Sequence, residues 1–584
     1  MTHGSNAFDP IRLQVVRSAL SAATEEMAAA LRRSAYSTNV KTRQDFSCAI
    51  LDSRLRVVAQ AFTQPVHLGS FVELIPRAVR FYGLENMGPG DMILVNDPYS
   101  GGTHLNDVTL IAPVYYPPDG EMGEPVAYLA TLAHHVDVGG GAPASLGAFQ
   151  EIYQEGVIIP PVKMVVAGEI DHDIFTLVLA QIRSKRETTG DFRAQVSANL
   201  IGNRRLASLF DRYGLDEIMF YMDELLEYTA RRTRAEIAGL PKGTYKAEGF
   251  LDSDGFTDKV VKLVIEVRID DDGVFFDTTG SDPQRRAPVN STYAMTFSGC
   301  AYGLRALLDK DLPVNDGFYR HMNVTAPPGT VTHAVHPAPV VGGWETEDRL
   351  NDLIFKALSE AVPERVPAGT KAMQCQMGFG VIDPVDREYK CSYEALAGGY
   401  GGRATLDGPD AVQAHGQNTE NAPIEETEAK HPVRINRYEL VENSDGPGKH
   451  RGGLGLRRDY MFPDVEARFT ILADREISGP WGLFGGKAGK KAYYILNPDG
   501  EARELGSKLT LDLMPGDVVS YQTCGGGGYG PPFERSPELV LRDVREGKVS
   551  PERACTEYGV VVDTDNWTVD EAGTEALRLT YAES

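Results

Sequence analysis

The sequence predicts a multi-domain α+β, or mixed α/β, protein with an N-terminal metal-binding α/β region and a glycine-rich, strand-rich C-terminal region. Three observations carry this. Apolar residues recur at helical spacing near the start, at Leu13, Val16, Leu20, Ala23, Met27 and Leu31. Short apolar runs bounded by turn residues follow, such as 92–95 and 108–111. Glycine and proline then crowd the last third, which predicts many turns and short strands there. With 584 residues the chain is long enough for about two to four domains. We divide it into a metal-site α/β domain (1–240), a mixed α/β middle domain (241–370) and a β-rich domain with a helical cap (371–584).

Asp9-Pro10 starts the first helix, an acid at the N-cap and proline at the first helical position; the helix runs to about residue 34. Strands are expected at 46–51 and 56–60, then a helix over 72–81. Helical spacing returns at 174–182, 192–213 and 215–237. Pro241-Lys-Gly243 marks a boundary, after which 243–251, 260–267 and 274–278 alternate as strands. The acidic turns Asp252-Ser-Asp-Gly255 and Asp270-Asp-Asp-Gly273 lack a full set of calcium-loop ligands and read as hairpin turns. Helices are expected at 291–308, 349–362 and 535–558.

The densest chemistry lies in two boxes, Asn96-Asp-Pro-Tyr-Ser-Gly-Gly-Thr-His-Leu-Asn-Asp107 and Ala133-His-His-Val-Asp-Val-Gly-Gly140. The first sits between two apolar runs, and the third run, 126–132, ends at His134. Strand ends hold side chains more rigidly than loops do. His104, Asp107 and His134 therefore make a candidate site for one divalent cation, zinc, manganese or iron, since imidazole and carboxylate together suit those ions. In an extended run His135 points away from the face that His134 uses, which gives His135 and Asp137 supporting or structural positions.

The net charge of −24 leaves no surplus of cations to neutralise phosphates or to bind anionic membranes, so nucleic acid and membrane are not expected partners. No apolar run approaches a membrane span, and the N-terminus is polar. The six cysteines are scattered without a C-x-x-C pair, which points to a reducing cytoplasm. No Walker A loop, dinucleotide fingerprint or G-x-S-x-G elbow is present. The loop Cys524-Gly-Gly-Gly-Gly-Tyr-Gly530 is either a cradle for an anion or a turn in close backbone contact.

These residues resemble the hydantoinase B/oxoprolinase family, which includes the B subunits of N-methylhydantoinases and caprolactamase, the C-terminal half of 5-oxoprolinase, and a subunit of acetone and acetophenone carboxylases. The resemblance runs nearly end to end. It takes in Asp45-Phe-Ser-Cys-Ala49, Pro65-Val-His-Leu-Gly-Ser70, the two boxes, Gln154-Glu-Gly156, Pro160-Pro-Val-Lys163, Pro313-Val-Asn-Asp-Gly317, Gly446-Pro-Gly-Lys-His-Arg-Gly-Gly453, Pro480-Trp-Gly-Leu-Phe-Gly-Gly486, Gly525-Gly-Gly-Gly-Tyr-Gly530 and Tyr558-Gly-Val-Val561. It implies a metal held by two histidines and two aspartates, which fall on Asp45, His104, Asp107 and His134. It also implies a larger A-type partner that binds ATP and Mg and phosphorylates a carbonyl or amide oxygen, in a heterotetramer or larger assembly. The Pro-Pro-Asp-Gly stretch at 117–120 departs from the pattern as a longer hairpin loop.

The expected activity is ATP-dependent hydrolysis of a cyclic amide: a hydantoin, a lactam or 5-oxoproline. An amide resists attack, and phosphorylating its oxygen makes its carbon more electrophilic. A divalent ion can then supply hydroxide from water near neutral pH. His135, Asp137 or Glu155 would act as general base or support the ligands, and His67 would line the substrate pocket; each has an equally good structural reading. The alternative is a ketone carboxylase component of the acetone or acetophenone type. A third reading is a scaffold whose metal is structural.

Overall fold

The computed structural model describes residues 8–61, 64–117 and 123–582. Its N-terminal sheet has seven strands: β1 (Phe46–Asp52), β2 (Val57–Gln60), β3 (Met92–Val95), β4 (Asp107–Val114), β5 (Ala127–His134), β6 (Val162–Val166) and β7 (Glu169–Ile170). They lie in the order β2-β1-β5-β4-β3-β6-β7, and every pairing is antiparallel. The central strands are buried along their whole length, because helices cover both faces.

Alternation decides which residue meets which helix. Cys48, Ile50, Leu110, Leu129 and Ala133 point to the face packed by the helices Pro10–Ser34 and Lys185–Tyr213. Ala49, Leu51, Ile111, Ala130 and Leu132 point to the other face, where Phe71, Leu74, Ile75 and Ala78 of the helix Leu68–Tyr82 cover them. Fully burying each such side chain contributes roughly 1.5–3 kcal/mol before entropy is counted. The first helix starts as its sequence directs: the Asp9 carboxylate accepts from Ile11 N, and Pro10 takes the first position.

A four-stranded sheet follows, β8 (Gly243–Leu251), β9 (Val261–Ile269), β10 (Val274–Asp277) and β11 (Met322–Thr325), in the order β11-β10-β9-β8. The helices Tyr293–Leu307 and Gly343–Leu358 share its core. The Asp270–Gly273 segment is the turn joining β9 to β10, with the Asp270 carboxylate accepting from Asp272 N. Asp252 is buried, and its carboxylate caps Ile477 N and Ser478 N.

Beyond residue 372, a four-stranded and a five-stranded sheet enclose a third core, followed by a helical cap at Pro537–Arg545 and Pro551–Tyr558. Between these sheets, glycine-rich segments pack backbone against backbone. Gly446 N donates to Gly526 O at 2.7 Å, Gly402 N to Gly527 O at 2.8 Å, and Gly528 N to Lys487 O at 2.9 Å. This overturns the anion cradle expected as one reading of 524–530. The amides of Gly526, Gly527, Gly528, Tyr529 and Gly530 all donate to protein carbonyls. A Cβ on Gly526 would sit 2.0 Å from Tyr400 O, so only glycine allows this approach.

The helix expected at 349–362 spans Gly343–Leu358. Its first turn is Trp-Glu-Thr-Glu, a run that reads as solvated, yet Trp344, Glu345 and Glu347 are all buried. Residues 118–120 of the expected hairpin loop lie outside the described residues; the strands flanking it pair Val114 with Ala127. All six cysteines are free. Among the described residues, no helix is long and apolar enough to cross a membrane.

Candidate metal centre

Sheet register brings three of the four expected ligand residues into one row. Asp107 pairs directly with His134 across β4 and β5. On the other side of β5, Phe46 pairs with Ala133, and His134 N donates to Asp45 O at 3.0 Å. Asp45, His134 and Asp107 therefore stand side by side on the face covered by the helix Leu68–Tyr82. His104 reaches the row from the turn before β4, where Asp107 N donates to His104 O at 3.1 Å.

His104 Nε2 and His134 Nδ1 each lie 3.3 Å from Asp107 Oδ1. Two ligands bound roughly 2.0–2.1 Å from one tetrahedral ion stand about 3.3 Å apart. All three residues are buried, and their ligand atoms lie within 4.8 Å of one another. His104 Nδ1 and Nε2, Asp107 Oδ1 and His134 Nε2 make no hydrogen bond. Buried polar atoms are almost always satisfied, so the unpartnered His104 Nε2 and Asp107 Oδ1, 3.3 Å apart, fit a cation. Asp45 stands slightly further out, with Oδ2 3.9 Å from His134 Nδ1. His67, the N-cap of the covering helix, is as close: its Nε2 is 3.8 Å from Asp107 Oδ1 and 4.0 Å from Asp45 Oδ1.

Charge agrees with geometry. Burial pushes the His104 imidazole down to about 4, so it is neutral at pH 7. Burial lowers His67 as well. Burial alone would raise Asp107, but His104, His67 and His134 outweigh it and hold the carboxylate below its usual range. Neutral imidazole beside ionised carboxylate is the protonation state that ligation needs.

The surroundings fix each ring. Thr103 Oγ1 donates to Asp107 Oδ2 at 2.5 Å, and Ser47 Oγ lies 2.9 Å from His67 Nδ1. Tyr393 stacks on His134 at 4.4 Å between centroids, and Trp344 meets His104 edge-on at 5.4 Å. A small cavity of about 20 Å³ lies among these groups, with Gln64, Val66, Gln374, Gln376, Gln417 and Thr419 completing its wall. That is room for about one water-sized occupant. The 343–358 helix and the 370–419 segment thus contribute to a site whose ligands come from the first sheet. Sequence reasoning missed Trp344, Tyr393 and the glutamines of the wall. The available signals were a helix start rich in acids and the alternation Gln374-Cys-Gln376 entering a strand.

His135, Asp137 and Glu155 are not among the residues that line this cavity. His135 points to the opposite sheet face, where Nε2 meets Gln195 Oε1 at 3.0 Å and the ring packs on Phe192. Asp137 is fully buried and pairs with Arg183 at 2.9 Å. Glu155 Oε1 accepts from Val340 N at 2.6 Å and Val341 N at 2.9 Å.

A buried His/Asp cluster at strand ends, walled by the cores that follow it, makes a candidate metal centre in a chain of α+β architecture. The chain belongs to the hydantoinase B/oxoprolinase family, whose sequence pattern matches residues 9–532. It is 33% identical over 590 residues to the B-type chain of a putative D-/L-hydantoinase from Pseudomonas sp. (strain NS671), covering 98% of each chain. It is 33% identical over 599 residues to the beta chain of the caprolactamase of Pseudomonas jessenii, covering 99% of this chain and all of that one. The crystal structure of the ATP-dependent caprolactamase from Pseudomonas jessenii superposes with a TM-score of 0.89 at 31% identity, covering 98% of this chain and 100% of that one. The nucleotide-free structure of an acetone carboxylase shares the fold, with a TM-score of 0.90 at 21% identity over 98% of this chain and 83% of that one.

Proposed function

We propose that this chain is the metal-bearing B-type component of an ATP-dependent cyclic amidohydrolase of the hydantoinase, lactamase or 5-oxoprolinase type. One observation carries the reading: the buried His104–Asp107–His134 cluster at ligand spacing, with His104 Nε2 and Asp107 Oδ1 unpartnered, in a chain of this family. An A-type partner would bind ATP and Mg and phosphorylate the amide oxygen, in an assembly of two or more copies of each chain. The names of the hydantoinase and caprolactamase relatives as subunits support a partner.

His104, Asp107 and His134 would hold one zinc, manganese or iron ion, with Asp45 as the fourth ligand. When bound, that ion would polarise the activated carbon–oxygen bond and acidify water at neutral pH. Thr103 steadies the Asp107 carboxylate, and Tyr393 and Trp344 fix the two imidazoles and keep bulk water out. Ser47 orients His67, whose Nε2 faces the carboxylates from the side where substrate would arrive. We assign His135, Asp137 and Glu155 to positioning rather than to proton transfer. His135 and Asp137 brace the chain as it leaves β5, through Gln195 and Arg183. Glu155 pins Val340 and Val341, just ahead of Trp344.

The test is to co-express the chain with its A-type partner and screen hydantoins, lactams and 5-oxoproline for ATP-dependent ring opening. Ring-opened product that requires ATP and the metal is expected. Incorporation of labelled bicarbonate, with no ring opening, would replace this reading with the ketone carboxylase.

A further inference from the structure

A second cavity, of about 410 Å³, adjoins the metal centre. The two share Gln64 and His67 in their walls. Pro65, Phe71, Leu308 and Val314 give it an apolar wall. Exposed Lys310 and half-buried Arg305 also line it, beside exposed Ala306.

Arg305 lies in the last turn of the helix Tyr293–Leu307, and carbonyls rather than a carboxylate orient its guanidinium. Its Nη atoms donate to Leu308 O at 3.5 Å, Lys310 O at 2.6 Å and Leu312 O at 3.2 Å. Carbonyls direct the group without neutralising it. Of the two acids whose charge it feels most, Asp309 is already paired with Arg232 at 3.0 Å, and Asp311 is exposed. Two cationic side chains, Arg305 and Lys310, thus line a largely apolar pocket, in surroundings that also hold Asp309, Asp311 and Glu236.

We propose that this cavity is the substrate pocket, and that it takes a small cyclic amide bearing an oxyanion group. The ring would lie on Phe71, Leu308 and Val314 with its carbonyl toward His67, and the oxyanion would meet Arg305 and Lys310. The inference rests on the amidohydrolase reading and names its substrate class. The volume lies in the range of small-molecule sites and leaves room for an oxyanion beyond a five- or six-membered ring. A guanidinium and an ammonium both attract carboxylate and phosphate. The oxyanion has two possible sources: a carboxylate on the ring, or the phosphoryl group added to the amide oxygen.

Ligand-observed NMR on the purified full chain, without ATP or partner, separates these. The probes are L-5-oxoproline, 2-pyrrolidinone and inorganic phosphate. If the ring carries the charge, 5-oxoproline binds at least about tenfold tighter than 2-pyrrolidinone, and Arg305→Gln or Lys310→Met removes most of that preference. If the phosphoryl group carries it, 5-oxoproline has no advantage, phosphate and 2-pyrrolidinone bind together, and the same variants lose phosphate. Ala306→Trp at the mouth should abolish either pattern without touching the Arg305 carbonyl contacts. Wild-type chain that binds no probe, or binding that all three variants leave unchanged, overturns the proposal. Because no turnover is measured, that failure leaves the metal-centre reading standing; loss of ATP-dependent ring opening would strike that reading instead.

Discussion

Asp107 and His134 are directly paired residues of adjacent antiparallel strands, and Asp107 Oδ1 lies 3.3 Å from His134 Nδ1. The distance between two side chains at the centre is therefore a property of sheet register. A slip of one residue along β5 would turn His134 to the opposite face and bring His135 into its place.

His104→Ala and Asp107→Ala should each lower bound metal from about one ion per chain to under roughly a tenth. Elemental analysis of the purified variants, beside circular dichroism to establish folding, checks this. Full metal content in a folded Asp107→Ala variant would remove the basis for the centre.

Asp45→Asn should have a milder effect, because Asp45 stands 3.9 Å from His134 where Asp107 stands 3.3 Å. We expect metal affinity to fall about 10–100-fold, measured by competition with a chelator. The fold should persist, since the strand contact at this position runs through the Asp45 carbonyl.

Glu155 should give stability a pH dependence. Burial pushes its carboxyl from 4.5 up to about 8, against the pull of two backbone amides. Between those values the folded chain keeps a proton that the unfolded chain has released. The group's contribution is intact below about pH 4.5 and declines as pH rises toward about 8. Glutamine can still accept from Val340 and Val341 but does not titrate. Melting temperatures of Glu155→Gln and wild type, taken from about pH 5 to 8, should diverge in the variant's favour as pH rises.

Gly526→Ala should destabilise by about 3 kcal/mol or more, because the added methyl would meet the Tyr400 carbonyl at 2.0 Å and backbone cannot step aside as a side chain can. Thermal unfolding of the variant reads this directly. Gly506→Ala is the control for an added methyl without a clash: a Cβ there would stand 3.8 Å from its nearest neighbour at a residue with no positive φ, so its effect should be small.

Much of the N-terminal region was legible because local pattern and tertiary role agree. The stripe from Leu13 to Leu31 became a buried helix face, and the apolar runs around His104 and His134 became neighbouring strands. Alternation along β5 is enough to separate His134 from His135. The cavity walls were not legible. Trp344 lies beside acids whose composition suggests solvent, and only a tertiary core explains their burial. Tyr393 and Gln417 are far from His134 in sequence, and no periodicity links them to it. The four-glycine run was ambiguous for a physical reason: bare amides that suit an anion suit a neighbouring carbonyl equally well.

The last pieces of the cavity wall, Gln417 and Thr419, are made long after the histidines they enclose. While the chain is being synthesised, the strands carrying Asp45, Asp107 and His134 can pair with one side still open to water. Closure waits until some four hundred residues have left the ribosome. If the candidate site takes an ion, exchange should therefore be slower in the finished chain than in one that still lacks this wall.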